Sequence, residues 1–179
     1  MTSAAVQYGR ALYALARDEG ICDLVLEQMQ VLAEAFREEP DFLRLLASPN
    51  LSKQARLDIL DASFREKLHP YLLNFLKILT VQRLIQTFPD FCSYVESCYY
   101  ADNGIVPVRV YTAQPLNPEQ NRLIKGKMEK ITGKTVILKN RIDSACLGGV
   151  RLCYDGKQVD GTVKSRLDAI GKLLKNTVI

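Results

Sequence analysis

Through the first hundred residues, apolar positions recur with the spacing of amphipathic helices. From Ala4 to Asp18, Ala4, Tyr8, Ala11, Leu12 and Leu15 share one face, with Ala5 and Ala16 at its edge. Gly9 interrupts this helix at a cost of about 1 kcal/mol relative to alanine, but leaves room for a close neighbour. Gly20 ends it, and Asp23 is placed to cap a second helix, which runs to about Glu38 with Val25, Leu26, Met29, Leu32, Ala33 and Phe36 inward. Pro40-Asp41 opens a short helix over Phe42 to Ala47. After the turn Ser48-Pro49-Asn50, Ser52 caps a fourth helix with Ala55, Ile59, Leu60 and Phe64 on its apolar side. Pro70 starts a fifth, from Tyr71 to about Ile85, which is apolar on more than one face; such a helix is central or half-exposed to a partner, with central burial the expectation. The sixth spans Thr87 to Tyr100, with Phe88, Phe91, Val95 and Cys98 at helical spacing.

At Asp102-Asn103-Gly104 the period changes. Ile105, Val106, Val108 and Val110, followed by Tyr111 and Ala113, predict a strand that Pro107 puts at an edge or makes begin late. Pro115 to Pro118 is a turn, and Glu119 to Ile131 is a lysine-rich amphipathic helix with Leu123, Lys127 and Ile131 near one face. Thr135 to Ile142 predicts another strand; Val150, Leu152 and Tyr154 alternate with Arg151 and Cys153 as in a half-buried one. Asp155-Gly156 supplies a two-residue hairpin turn, because both positions need φ > 0, and Gln158-Val159-Asp160 returns. Gly161 breaks that strand, Thr162 can cap a helix, and Val163, Leu167, Ile170 and Leu174 recur at helical spacing. The predicted fold is α+β: a six-helix bundle over residues 1–103, then a small α+β domain over residues 104–179.

Charge supports the division. Residues 1–103 hold ten basic against fourteen acidic residues, a net −4, and residues 104–179 hold fourteen against six, a net +8. Opposite signs suggest different partners for the two parts. Five cysteines, Cys22, Cys92, Cys98, Cys146 and Cys153, form no Cys-x-x-Cys pair, which favours reduced thiols in a cytosol-like compartment. No apolar run reaches the roughly 18 residues of a membrane span. The first residues carry no signal-peptide pattern, so any membrane association is expected through partners.

Three arrangements suggest chemistry and fail to carry it. Gly126 to Thr135 ends in Gly-Lys-Thr, but six residues separate its glycines where a P-loop has four, and it lies after a helix and before a strand. A phosphate cradle needs the reverse order, so no nucleotide is expected here. His69 is the one histidine, which rules out a histidine-rich metal site; the cysteines are expected to be small packing residues. Asp143, Asp155 and Asp160 lie close in sequence, but turn positions account for them and no differently tuned second group accompanies them. No catalytic residue, cofactor site or metal site is predicted. Two binding roles remain. A nucleic-acid binder would use the basic half, which offers only Tyr111 and Tyr154 for stacking and has no Gly-x-x-Gly loop. A protein–protein role needs only excess apolar helix surface and a charged second part.

Several motifs, in order along the chain, resemble the delta subunit of F-type ATP synthases, whose mitochondrial relative is the oligomycin-sensitivity-conferring protein. Tyr8, Ala11-Leu12 and Ala16 match its first helix, with Gly9 where alanine is usual. Ser48-Pro49 and Ser52 match its turn into the fourth helix, with Arg56 where lysine is common, and Asn74 to Leu79 (NFLKIL) matches its fifth. That helix commonly ends in Gly-Arg-Leu; aligned without a gap, those positions are Arg83, Leu84 and Ile85. Val110 to Leu116 resembles its strand into a Pro-Leu turn. The C-terminal signature is Gly148-Gly149-Val150, the Asp-Gly turn, then Val159-Asp160-Gly161-Thr162-Val163 with Arg166-Leu167; Thr162 stands where serine is usual.

The resemblance implies a stator that couples proton- or sodium-driven rotation to ATP synthesis, without catalysis or bound nucleotide. It implies a helical domain on the crown of the catalytic head, whose first and fifth helices form a groove for the N-terminal helix of an alpha subunit. Ala4, Tyr8, Ala11, Leu12, Asn74 and Ile78 are the residues expected there. The C-terminal domain is expected to hold the end of the peripheral-stalk b subunits. The location implied is peripheral, on the cytoplasmic face of a bacterial cell membrane, and no nucleic acid is expected as a partner.

Overall fold

A computed structural model describes residues 3–165. The chain divides into two compact units, Met1–Tyr99 and Tyr100–Ile179. The fold is α+β.

In the first unit α1 (Ser3–Asp18), α2 (Cys22–Glu38), α3 (Pro40–Ala47), α4 (Lys53–Phe64) and α5 (Pro70–Val81) lead through a 3-10 turn at Ile85–Thr87 into α6 (Phe88–Asp102). Their core joins Leu12, Tyr13 and Ala16 of α1 to Val25, Met29, Leu32 and Phe36 of α2, five leucine and phenylalanine side chains of α5, and Phe88, Phe91 and Val95 of α6. Phe36 packs on Phe42, Phe64 and Phe88 with ring centroids 5.3–6.3 Å apart, so one aromatic side chain ties α2 to α3, α4 and α6.

The helix ends follow local chemistry. Gly20 takes φ 68, and the bonds Gly20 N–H to Arg17 O (3.1 Å) and Ile21 N–H to Ala16 O (2.8 Å) close α1 in a Schellman motif. This places the start of α2 two residues earlier than the sequence suggested, with its N-cap at Ile21 rather than Asp23. Asp23 therefore falls inside its first turn rather than at the cap, where Ile21 provides no side-chain bond. Its carboxylate instead accepts from the Tyr99 hydroxyl at 2.5 Å, which holds that phenol above its usual pKa. Ser52 does cap α4, accepting from Ala55 N–H at 3.1 Å.

The fifth helix stops at Val81, four residues short of its predicted end. Arg83 N–H bonds to Thr80 O and Leu84 N–H to Leu79 O, the same Schellman pattern as after α1, but the left-handed position is held by Arg83 at φ 59. A side chain in that conformation costs about 1–2 kcal/mol, which glycine avoids. Arg83→Gly is therefore expected to stabilise the chain by about 0.5–1 kcal/mol, after the added freedom of glycine in the unfolded chain. Urea unfolding checks this; a lower midpoint would show that the arginine side chain compensates for its backbone.

The second unit is built on a mixed sheet of strand order β2-β1-β3-β4. β1 (Ile105–Thr112) crosses through α7 (Pro118–Thr132) to the parallel β2 (Thr135–Ile142); β3 (Val150–Tyr154) and β4 (Lys157–Asp160) form an antiparallel hairpin on the other side of β1. Val106, Val108 and Val110 point to one face and pack with Met128 of α7 and Val136 of β2. β1 is thus central and begins before Pro107, contrary to the edge position expected for a proline strand. The reason is that β3 pairs only with Arg109–Thr112, so β1 is locally an edge at Pro107. Asn117 and Gln120 form a reciprocal capping box at the start of α7, and Gly133 (φ 67) ends it.

Thiol chemistry is quiet. None of the five cysteines is in a disulfide. Burial pushes the Cys92 thiol up to about 12, while its S–H points at Met29 O at 3.8 Å. Because the unfolded thiol ionises at lower pH, its contribution to stability is present at neutral pH and lost as pH rises past about 8.5. Under native conditions at pH 8, Cys92 is expected to resist alkylation until the chain is unfolded; rapid native labelling seen by mass spectrometry would contradict the burial.

Candidate functional site

Two helices of the first unit build the groove. α1 carries a wider apolar surface than one face can hold. Leu12, Tyr13 and Ala16 turn into the core, leaving Ala11 and Leu15 exposed and Tyr8 half-buried along an adjoining stripe. On another side Gly9 meets Tyr94 of α6: a Cβ there would lie 2.8 Å from Tyr94 Cδ1, so only glycine permits this spacing without a shift.

α5 is buried over most of its circumference, through Leu72, Leu73, Phe75, Leu76, Leu79 and Thr80. One strip stays open, made by Tyr71, Asn74 and Ile78 at spacings of three and four residues. Its start is held firmly. Pro70 occupies the first turn, His69 Nδ1 accepts from Tyr71 N–H at 3.3 Å, and the His69 ring stands edge-on to Tyr71 at 5.0 Å. His69 N–H in turn donates to Gln28 Oε1 of α2 at 2.9 Å.

Side by side, the two stripes enclose a cavity of about 220 Å³ lined by Tyr8, Ala11, Leu12, Leu15, Tyr71, Asn74, Phe75 and Ile78. Leu12 and Phe75 form its floor, and Leu15 and Ile78, 40% and 45% exposed, stand at its rim. Asn74 is the one amide, beside the hydroxyls of Tyr8 and Tyr71, and among the described residues it makes no side-chain hydrogen bond. Of the residues expected from the sequence, Tyr8, Ala11, Leu12, Asn74 and Ile78 come together here. Ala4 lies in α1, with its side chain outside what is described. The sequence reading missed Leu15, Tyr71 and Phe75 as lining residues; the i, i+3, i+4 relation of Tyr71 and Phe75 to Asn74 and Ile78 was the available signal. A second cleft, of about 380 Å³ beside α2, is lined by Leu24, Val31, Phe64 and Leu68 but also by Glu27 and Lys67.

The C-terminal signature has a structural explanation. Gly149, at φ 79, lies so close to the returning chain that a Cβ would be 2.5 Å from Gly161 O. Gly161 N–H bonds to Val150 O and Val163 N–H to Gly148 O, which zips the two glycine-containing segments together. Val159 is half-exposed on β4. Asp160 Oδ1 accepts from Thr162 N–H (2.9 Å) and Thr162 Oγ1–H (2.7 Å), bonds that hold its carboxyl below the usual pKa. Thr162 Oγ1 then accepts from Ser165 N–H at 3.2 Å in the manner of an N-cap. Arg166 and Leu167 lie outside the described residues, as do Ile170 and Leu174.

The other two aspartates are likewise occupied: Asp143 pairs with Arg151 at 2.7 Å, and Asp155 (φ 46) with Gly156 (φ 72) makes the hairpin turn. Gly133-Lys134-Thr135 joins the end of α7 to β2, so the helix end at that loop is a C-terminus, which does not favour a phosphate. Among the described residues no group of three His, Cys, Asp or Glu side chains is placed to hold a metal ion. What the geometry offers is a largely apolar trough between two helices and a glycine-locked sheet.

Residues 4–174 match the family described as ATP synthase delta (OSCP) subunit. The chain belongs to that family. It is a non-catalytic stator component of an F-type ATP synthase, part of the peripheral stalk. It is 30% identical over 177 residues to the ATP synthase subunit delta of Beijerinckia indica, covering 98% of this chain and 93% of that one. It is 31% identical over 163 residues to that of Carboxydothermus hydrogenoformans, covering 91% and 92%. One chain of the cryo-EM structure of the Toxoplasma gondii mitochondrial ATP synthase hexamer has the same fold, with a TM-score of 0.74 at 20% identity over 97% of this family member and 98% of that chain. Among the described residues no helix is long and apolar enough to cross a membrane.

Proposed function

We propose that α1 to α6 act as one helical bundle whose α1–α5 groove holds the N-terminal helix of an ATP synthase alpha subunit, and that residues 104–179 hold the end of the peripheral-stalk b subunits. The observation that supports the first part is the open groove between α1 and α5, whose lining carries no charged side chain, unlike the cleft beside α2 with its Glu27 and Lys67. An amphipathic helix lays anchors at i, i+3, i+4 and i+7 into such a trough, and the Asn74 amide is available to a backbone or polar group at its edge. The opposite net charges of the two parts of the chain, −4 and +8, suit two dissimilar partners.

A stator must resist repeated torque, so the bond to the head has to dissociate slowly. A nanomolar constant corresponds to about −12 kcal/mol. In this reading the chain works on the cytoplasmic face of a bacterial cell membrane, attached through partners, and its likeness to bacterial delta subunits supports that. Nucleic-acid binding by the basic half finds no support in the family. The test is a titration of the full chain with a synthetic peptide covering the alpha-subunit N-terminus. Saturable one-to-one binding with dissociation over minutes is expected; no binding at micromolar peptide would remove the groove as an anchor.

A further inference from the structure

One wall of the groove begins at a helix cap that a proton can remove. α5 opens with Pro70, which has no amide hydrogen, so Tyr71 N–H is the first donor of the helix that needs a partner outside it. His69 Nδ1 accepts it at 3.3 Å. With Nδ1 as acceptor, the neutral ring carries its proton on Nε2. Ser52 and Asn117 cap α4 and α7 with groups that do not titrate, whereas the cap of the groove helix is an imidazole.

The same ring touches the binding surface. It stands edge-on to Tyr71, with centroids 5.0 Å apart, and Tyr71 lines the groove. His69 is half-buried, and its backbone N–H is fixed by Gln28 Oε1 of α2 at 2.9 Å, so its place is held while part of it meets solvent. The ionisable side chains on the segments that meet there are Tyr71 of α5, Glu27 of α2 beside Gln28, and Glu66 and Lys67 before α5. Among the described residues neither carboxylate is ion-paired with the imidazole, so no ion pair offsets a positive charge at this helix start.

We propose that His69 is a pH-sensitive latch on the groove: its protonation uncaps α5, loosens the turn that carries Tyr71 and weakens the hold on the partner helix. Protonation puts an N–H where the lone pair was, so Nδ1 and the Tyr71 N–H become two donors facing each other. The ring has to turn away from Tyr71, and its charge opposes the positive end of the α5 dipole. Both effects favour the neutral ring in the capped state. That state is complete at high pH and is lost as pH falls through the range in which histidines titrate, about pH 5 to 8. The latch acts on the site proposed above for the alpha-subunit helix and rests on that reading.

The full chain is titrated at about pH 7.5 and about pH 5.5 with a synthetic peptide covering the alpha-subunit N-terminus, any histidine in it replaced. Wild-type affinity is expected to be about three- to tenfold weaker at the lower pH, the effect of losing a helix cap. His69→Asn, whose amide oxygen caps without titrating, is expected to keep the high-pH affinity at both values, and His69→Ala the weaker one at both. In NMR spectra of the free wild-type chain, the Tyr71 amide shift is expected to follow the titration of the His69 ring, with circular dichroism unchanged. Equal wild-type affinity at the two values, or an unchanged pH dependence in His69→Asn, overturns the latch. A chain that binds no peptide at either value overturns the groove reading instead. The Tyr71 amide then still tests the cap: a shift that does not follow the ring overturns the latch independently of the partner.

Discussion

Ile78→Asp is expected to weaken binding of the proposed alpha-subunit helix about 30- to 1,000-fold without unfolding the chain. The rim position decides both halves of this expectation. Ile78 is 45% exposed, so an aspartate there remains hydrated in the free protein, and exposed substitutions of this kind cost less than about 1 kcal/mol. On binding, the carboxylate would be covered by the apolar side of an amphipathic helix, in a groove whose lining carries no cation. Desolvating it without a cation costs at least about 2–4 kcal/mol, a 30- to 1,000-fold loss of affinity. Circular dichroism and a peptide titration separate the two effects. A folded variant with unchanged affinity removes Ile78 from the interface.

Gly149→Ala produces the largest loss of stability expected from any single methyl group in the second unit. Alanine at φ 79 carries a left-handed backbone penalty of about 1–2 kcal/mol. Its Cβ also falls 2.5 Å from Gly161 O and 3.0 Å from Thr162 Cα, both backbone atoms that move only with the chain. Overpacking of this sort adds about 1–3 kcal/mol, for a total of about 2–5. Gly148→Ala is the control. Its Cβ meets Val163 Cγ2 at 3.3 Å, the end of a side chain, and costs under about 1 kcal/mol. Urea unfolding of the two variants should differ widely; equal midpoints would show that the loop relaxes freely around Gly149.

The helices and strands of this chain are legible because their apolar periods are long and their ends carry strong local chemistry, as at Ser52, Gly20 and Asp155-Gly156. Interior and groove faces are less so. Leu12 and Leu15 look alike in a periodic pattern, yet one is buried and the other lies on the rim, because a helix touching neighbours on two sides has no single apolar face. For α5 both expectations meet in one helix: most of it is central, and a strip stays open. Arg83 shows where pattern misleads. The apolar period continues past it, but the helix closes before it, and a backbone conformation suited to glycine is met by arginine. Arg56, 8% exposed on α4, shares the face of Ile59 and Leu60 by its spacing, but its charge argues for the surface. Binding residues with no chemistry of their own leave little trace in one sequence; resemblance supplied the pairing of the first and fifth helices, and the structure supplied their common groove.

Hydrogen exchange of the full chain with and without the alpha-subunit N-terminal peptide tests the central proposal most directly. Exchange should slow in α1 (Ser3–Asp18) and α5 (Pro70–Val81), around the 220 Å³ groove, and stay unchanged at the cleft of α2 that Leu24 and Val31 line. Slowing confined to that second cleft, with α1 and α5 unaffected, would contradict it.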